Sequence, residues 1–228
     1  MNNFVLSVLA SVIGGIILLF FASTLSQKAR WVLIGVLSRI LDVDIDYVFR
    51  DKRNSEGDVR KEIEIARWLC FFAGRGNELQ QDTFSSIFKK ESSDRLCSVR
   101  ILLPETVTTV AEYNWLNQRE QELSVFDPAY GDGLLITQIE SNVTFLKKHF
   151  KNQRIQLRRY NMPNIGRMVL TDRCLFYTPY HSDMHGRHSR VYKFRPNCEI
   201  YENMLRLFDQ LWNQIKAETN GTITCLQN

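Results

Sequence analysis

Apolar positions follow two regimes along this chain. From Phe4 to Leu25 they run almost unbroken for 22 residues, and after residue 58 they recur in short blocks between polar turns. The first regime predicts a single helix. At about 1.5 Å per residue the run reaches roughly 33 Å, which matches the hydrocarbon core of a bilayer. Ser7, Ser11, Ser23 and Thr24 are its polar side chains, and their hydroxyls can bond back to helix carbonyls. Met1-Asn2-Asn3 offers no basic start, and the first cations, Lys28 and Arg30, follow the run. That order favours a retained transmembrane anchor over a cleavable signal peptide. Ser7, Ser11 and Gly15 recur every four residues, with Gly14 alongside. Such a stripe lets helix backbones approach closely in lipid and predicts self-association of the anchor.

Beyond the run the pattern changes. Trp31 to Leu41 is apolar but contains Arg39 and is too short to span, so it reads as a juxtamembrane helix. Arg50 to Asp58 (RDKRNSEGD) reads as a charged linker. Val59–Arg67 then has helical spacing, and Trp68–Ala73 is a buried strand ending in Gly74-Arg75-Gly76. Leu79–Lys89 is helical, and Ser98–Leu103 is a strand closed by Pro104. Helices are expected over Thr109–Phe126 and Leu134–Phe150, with a half-exposed strand over Arg154–Tyr160. Short strands follow at Arg167–Thr171, Cys174–Tyr180 and Arg190–Phe194, before a closing amphipathic helix over Tyr201–Lys216. This alternation predicts an α/β sandwich around a mixed sheet. The expected organisation is an anchor over 1–27, a juxtamembrane helix and linker over 28–57, one domain over 58–220, and a tail over 221–228.

Charge settles the expected orientation. Lys28, Arg30 and Arg39 lie just past the apolar run with no acid before Asp42. The positive-inside rule therefore predicts a single pass with the C-terminal domain in the cytoplasm. Cys70, Cys97, Cys174, Cys198 and Cys225 form no CxxC pair, which suits a reducing compartment.

The succession WLCFFAGRG, SVRILLPET, RIQLRRYNMP, GRMVLTDRCLFYTPY and YENMLRLFDQLWNQ resembles one half of the phospholipase D-like fold, over roughly Glu64 to Gln214. Active members of that superfamily carry HxKxxxxD, in which the histidine attacks phosphorus and the lysine holds phosphoryl oxygens. The corresponding stretch here runs from Ile165 through Arg167 to Asp172. The aspartate is kept, arginine replaces lysine, and isoleucine replaces the nucleophile. The resemblance thus implies a degenerate pocket at Arg167 and Asp172 that binds without catalysing, since isoleucine cannot form a phospho-enzyme.

Other constellations have ordinary explanations. His149-Phe150-Lys151 repeats HxK but has Gln156 where the aspartate belongs. His181, His185 and His188 offer metal-donor spacing, yet they fall between two predicted strands, where a polar hairpin loop needs no ligand. No metal and no cofactor is expected.

The net charge of +4 conceals an asymmetry. Residues 54–140 carry 9 basic and 15 acidic side chains, whereas residues 141–198 carry 12 basic and 2 acidic. Lys147, Lys148, Lys151, Arg154 and Arg158 form the expected basic partner face. Arg159 alternates to the other side of its strand and is expected to pair near the core. A surface against anionic lipid and a site for a phosphate-rich partner both account for such a face.

An anchor, a linker and a degenerate phospholipase D-like domain together resemble the membrane effectors of bacterial anti-phage systems, above all those encoded with retrons. That resemblance implies an effector restrained by a reverse transcriptase with its DNA–RNA product, which damages the inner membrane and arrests growth once released. Two other classes remain open from the sequence. One is a membrane-anchored ligand- or partner-binding module without toxicity; the other is a tethered phosphodiesterase with a different nucleophile.

Overall fold

A computed structural model describes residues 2–24, 32, 34, 36, 44–89, 95–106, 115–150, 154–163, 165–182 and 186–215. The chain divides into two compact units, residues 1–47 and 48–228. In the first, Asn2–Thr24 form helix α1, and the Ser11 hydroxyl donates to the Ser7 carbonyl at 3.0 Å. Among the described residues, however, no helix is long and apolar enough to cross a membrane. This corrects the expected transmembrane helix. Asn2 and Asn3 open α1, and Ser23 and Thr24 close it. The finding concerns helices and assigns the protein to no compartment. At Gly14 and Gly15 an added Cβ would meet nothing within 4 Å, so nothing described packs against the small-residue stripe there. Lys28, Arg30, most of Trp31–Leu41, Lys151, His185 and the tail lie outside the described residues.

The expected mixed α/β architecture is present. Seven strands, β1 (Ile45–Phe49), β2 (Trp68–Phe72), β3 (Ser98–Pro104), β4 (Ile155–Tyr160), β5 (Gly166–Thr171), β6 (Leu175–Pro179) and β7 (Val191–Phe194), form one sheet. Their order is β1-β7-β6-β5-β2-β3-β4, with the division between units falling inside β1. The strands β2, β3 and β4 run parallel, and β5 joins them antiparallel to β2, with β6 antiparallel to β5 in turn. Central position explains composition: β5 is buried at every residue, and WLCFF of β2 is almost continuously apolar because both of its faces are covered.

Among the described residues, four helices accompany this sheet: α2 (Lys52–Ile65), α3 (Trp115–Ser124), α4 (Leu134–Lys147) and α5 (Glu199–Gln214). Much of the segment expected as linker is the start of α2. Asp51 caps it by accepting from the Asn54 amide at 3.0 Å, and Ser55, Val59 and Ile63 bury one stripe. Charge on the outer face of a capped helix looks like a linker in the sequence. The expected helix over Leu79–Lys89 is instead two 3₁₀ turns, Asn77–Gln80 and Asp82–Phe88. Phe84 sets its ring edge-on to Phe71 at 5.2 Å. Elsewhere on the sheet, Arg100 lies over Phe208 and Trp212 of α5 and ion-pairs with Asp209 at 2.7 Å.

Candidate functional site

Where β2 ends and β5 begins, the sheet opens into a cavity of about 540 Å³. Register explains the place. Phe72 of β2 pairs with Met168, and Arg167 pairs with Thr178, so the chain leaving β2 meets the first residues of β5 and the last of β6. In open α/β sheets, ligands bind outside the carboxyl ends of strands. The lining comes from the first turns of α2, the Gly74–Glu78 turn, α3, and the segment after β6.

Glu78 sits at the centre of the charge network. Gly76, at φ +82°, starts the turn that carries it, and a Cβ at Gly76 would approach Leu103 Cδ2 to 2.8 Å, so glycine suits the position on both counts. Glu78 Oε1 receives Lys52 Nζ at 3.1 Å and Arg167 Nη1 at 3.5 Å. Burial alone would raise the Glu78 carboxyl, but Lys52 and then Arg167 outweigh it and hold the group down to about 2. The same burial lowers the Lys52 ammonium, against the pull of Glu78. Arg167 is only 3% exposed; its Nη2 donates to Thr178 Oγ1 at 3.1 Å, and among the described residues its Nε–H has no hydrogen-bond partner. A guanidinium this deep is rare without paired anions.

The wall continues the theme. Arg75 donates to Gln138 at 3.0 Å and to the Tyr130 hydroxyl. Arg119 ion-pairs with Glu122 at 2.7 Å, donates to the His181 carbonyl at 2.9 Å, and lies over the Tyr180 ring. Burial, helped by Glu78, pushes the Tyr180 phenol up to about 12, so it keeps its proton at neutral pH. Six cations, Lys52, Arg53, Arg75, Arg119, Arg167 and Arg187, face three carboxylates, Glu56, Glu78 and Glu122. The balance favours an anion. Among the described residues no histidine, cysteine or serine lines the cavity, and Ile165 is exposed with its carbonyl taken by the Tyr180 amide at 3.2 Å.

The sequence-derived residues are dispersed. Arg167 lines the cavity, but Asp172, just past the far end of β5, accepts the Arg67 amide at 2.9 Å; the two do not share a pocket. Arg154 donates to the carbonyls of Ile87 and Leu96 at 2.8 and 3.1 Å. Arg158 lies 4.5 Å from the centre of the Trp212 ring and donates to the Trp212 carbonyl. Both therefore hold elements together, while Lys147 and Lys148 are exposed. Arg159 ion-pairs with Glu140 at 2.6 Å, as alternation along β4 suggested. His149 packs its ring on Phe88 at 4.4 Å and Phe145 at 5.1 Å, clear of the cavity lining. Among the described residues no three ligating side chains group for a metal. Lys52 escaped sequence reasoning inside the stretch expected as a charged linker, and Glu78, Arg119 and Tyr180 because each lies in a segment of ordinary composition; only Gly74-Arg75-Gly76 hinted at a turn there.

No family model matches this sequence, and no curated protein matches it. Among solved structures the chain is similar to TrmBL2, described as an archaeal chromatin protein with a novel mode of DNA binding. That match has 12% identity and a TM-score of 0.47, over 95% of this chain and 71% of the other. It is also similar to a phospholipase D family member, Nuc from Salmonella typhimurium, at 10% identity and a TM-score of 0.43, over 73% of this chain and 92% of that one. At such scores neither likeness bears on activity, and the mixed α/β architecture stands on the sheet itself.

Proposed function

We propose that this chain is a non-catalytic module that binds a small phosphate-bearing ligand in the cavity at the end of β2. One observation carries the reading: the buried Arg167 and the part-buried Lys52 converge on a single carboxylate, Glu78, inside a cavity whose cations outnumber its acids. A phosphate accepts several charge-assisted hydrogen bonds at once and suits such a cluster. Catalysis through a phospho-enzyme has no support here, since position 165 holds isoleucine. Calorimetry of the full chain against inorganic pyrophosphate tests the proposal. Saturable binding that Arg167→Ala removes is expected; heats indistinguishable from dilution overturn it. Hydrolysis of a phosphodiester by the same protein would favour the phosphodiesterase alternative.

The wider setting rests on the resemblance drawn from the sequence. There the module is the sensor of an anti-phage effector restrained by a reverse transcriptase and its DNA–RNA product, with the cavity as the place where a small signal acts. Co-expression with the neighbouring genes tests that setting: recovery of a nucleoprotein with this chain supports it, and its absence removes it.

A further inference from the structure

The cavity is too large and too unevenly lined for inorganic phosphate alone. A volume of about 540 Å³ belongs with sites for ligands of drug-like size. The two cations that share Glu78, Lys52 and Arg167, lie on the side of α2 and β5. Other lining residues have a different character: Trp115, Leu123, Leu135 and Pro163 are apolar, and Gln81 and Gln118 offer amides that both donate and accept. Trp115 is 7% exposed and packs parallel to Tyr160, with ring centres 6.1 Å apart. Among the described residues its buried indole N–H has no hydrogen-bond partner. An unpaired buried donor is costly, and this one, fully covered, meets a ligand's acceptor once the atoms over it move aside.

Resting on the phosphate-binding proposal above, we infer that the ligand is a nucleoside phosphate. Its phosphate replaces or joins Glu78 at Lys52 and Arg167, and its base lies among Leu123, Leu135 and Pro163. The base offers a ring nitrogen or carbonyl to the Trp115 indole, while the glutamine amides meet its polar edge. A sugar phosphate would satisfy the charges and leave the apolar wall unused.

Calorimetry of the full chain with a panel of adenosine, guanosine, cytidine and uridine monophosphates, beside ribose 5-phosphate and pyrophosphate, tests this. At least one nucleotide should bind roughly tenfold or more tightly than ribose 5-phosphate, the scale of one buried hydrogen bond plus apolar contact. Trp115→Phe keeps an aromatic ring and deletes the N–H; it should shrink that preference while leaving pyrophosphate affinity unchanged. Equal affinity for every nucleotide and ribose 5-phosphate, with pyrophosphate still bound, overturns the inference and leaves the phosphate site standing. Binding of none of them, pyrophosphate included, overturns both.

Discussion

Lys52 Nζ lies 3.1 Å from Glu78 Oε1, which ties the first turn of α2 to the turn that follows β2. The same oxygen faces Arg167 at 3.5 Å. Glu78 therefore occupies the position of an internal anion, holding two cations that a phosphate would otherwise claim. The substitution Glu78→Gln takes the shared counter-charge from the buried Arg167 and the part-buried Lys52, a change that costs about 3 kcal/mol when one partner of a buried pair is lost. The variant should therefore melt earlier than wild type in phosphate-free buffer. Saturating pyrophosphate should raise its melting temperature more than it raises that of wild type, because the anion replaces the lost charge. An equal shift in the two proteins would mean that Glu78 and the ligand do not compete.

Acid should expose the same relationship. Glu78 has its carboxyl held at about 2 against an ordinary 4.5. A depressed carboxyl contributes stability above its unfolded value and loses it as pH falls toward the folded one, here between about 4.5 and 2. The linked contribution is on the order of 3 kcal/mol. Chemical denaturation at steps of pH should show wild type losing more stability across that window than Glu78→Gln. Parallel curves would assign the acid sensitivity to other carboxylates.

Asp172 separates two roles that the sequence joined. Its carboxylate accepts the Arg67 amide at 2.9 Å, on the approach to β2 and away from the cavity. Asp172→Ala should cost about 1 kcal/mol, the scale of one hydrogen bond at a partly open site, and leave pyrophosphate affinity unchanged. Arg167→Ala should instead abolish that affinity. A parallel loss of binding in both variants would restore the single degenerate pocket.

How much was legible follows from where the forces lie. Periodicity found β2, β3, β5 and α5 because each buries a side-chain pattern that survives in the letters, as Leu69, Phe71, Ile101 and Val169 show. It missed β1 and mistook the start of α2, because short edge elements and capped polar helices leave little apolar signal. The cavity was nearly invisible. Lys52, Glu78, Arg119 and Arg167 are scattered over much of the chain, and the pairing of β2 with β5 is what brings Glu78 and Arg167 together. Arg167 was found through a resemblance, and its supposed companion Asp172 proved to serve the backbone.

The basic segment yields the last prediction, since geometry divides its residues into two groups. Arg154 holds the carbonyls of Ile87 and Leu96, and Arg158 covers Trp212 and bonds its carbonyl. Lys147 and Lys148 stand exposed at the end of α4. Reversing all of them at once would confuse partner contact with folding. Arg158→Ala alone should destabilise the protein by about 1–2 kcal/mol, through a lost cation–π contact and an orphaned carbonyl. Lys147→Glu with Lys148→Glu should cost less, on the order of 0.5 kcal/mol, as exposed charges at a helix end do. If this helix end meets a nucleic acid, the double reversal should also flatten the salt dependence of its recovery in a pull-down, because with fewer phosphate contacts fewer counterions are released. Unchanged recovery at every salt concentration would confine the basic segment to a structural role, with its charge spent on Trp212 and the carbonyls of Ile87 and Leu96.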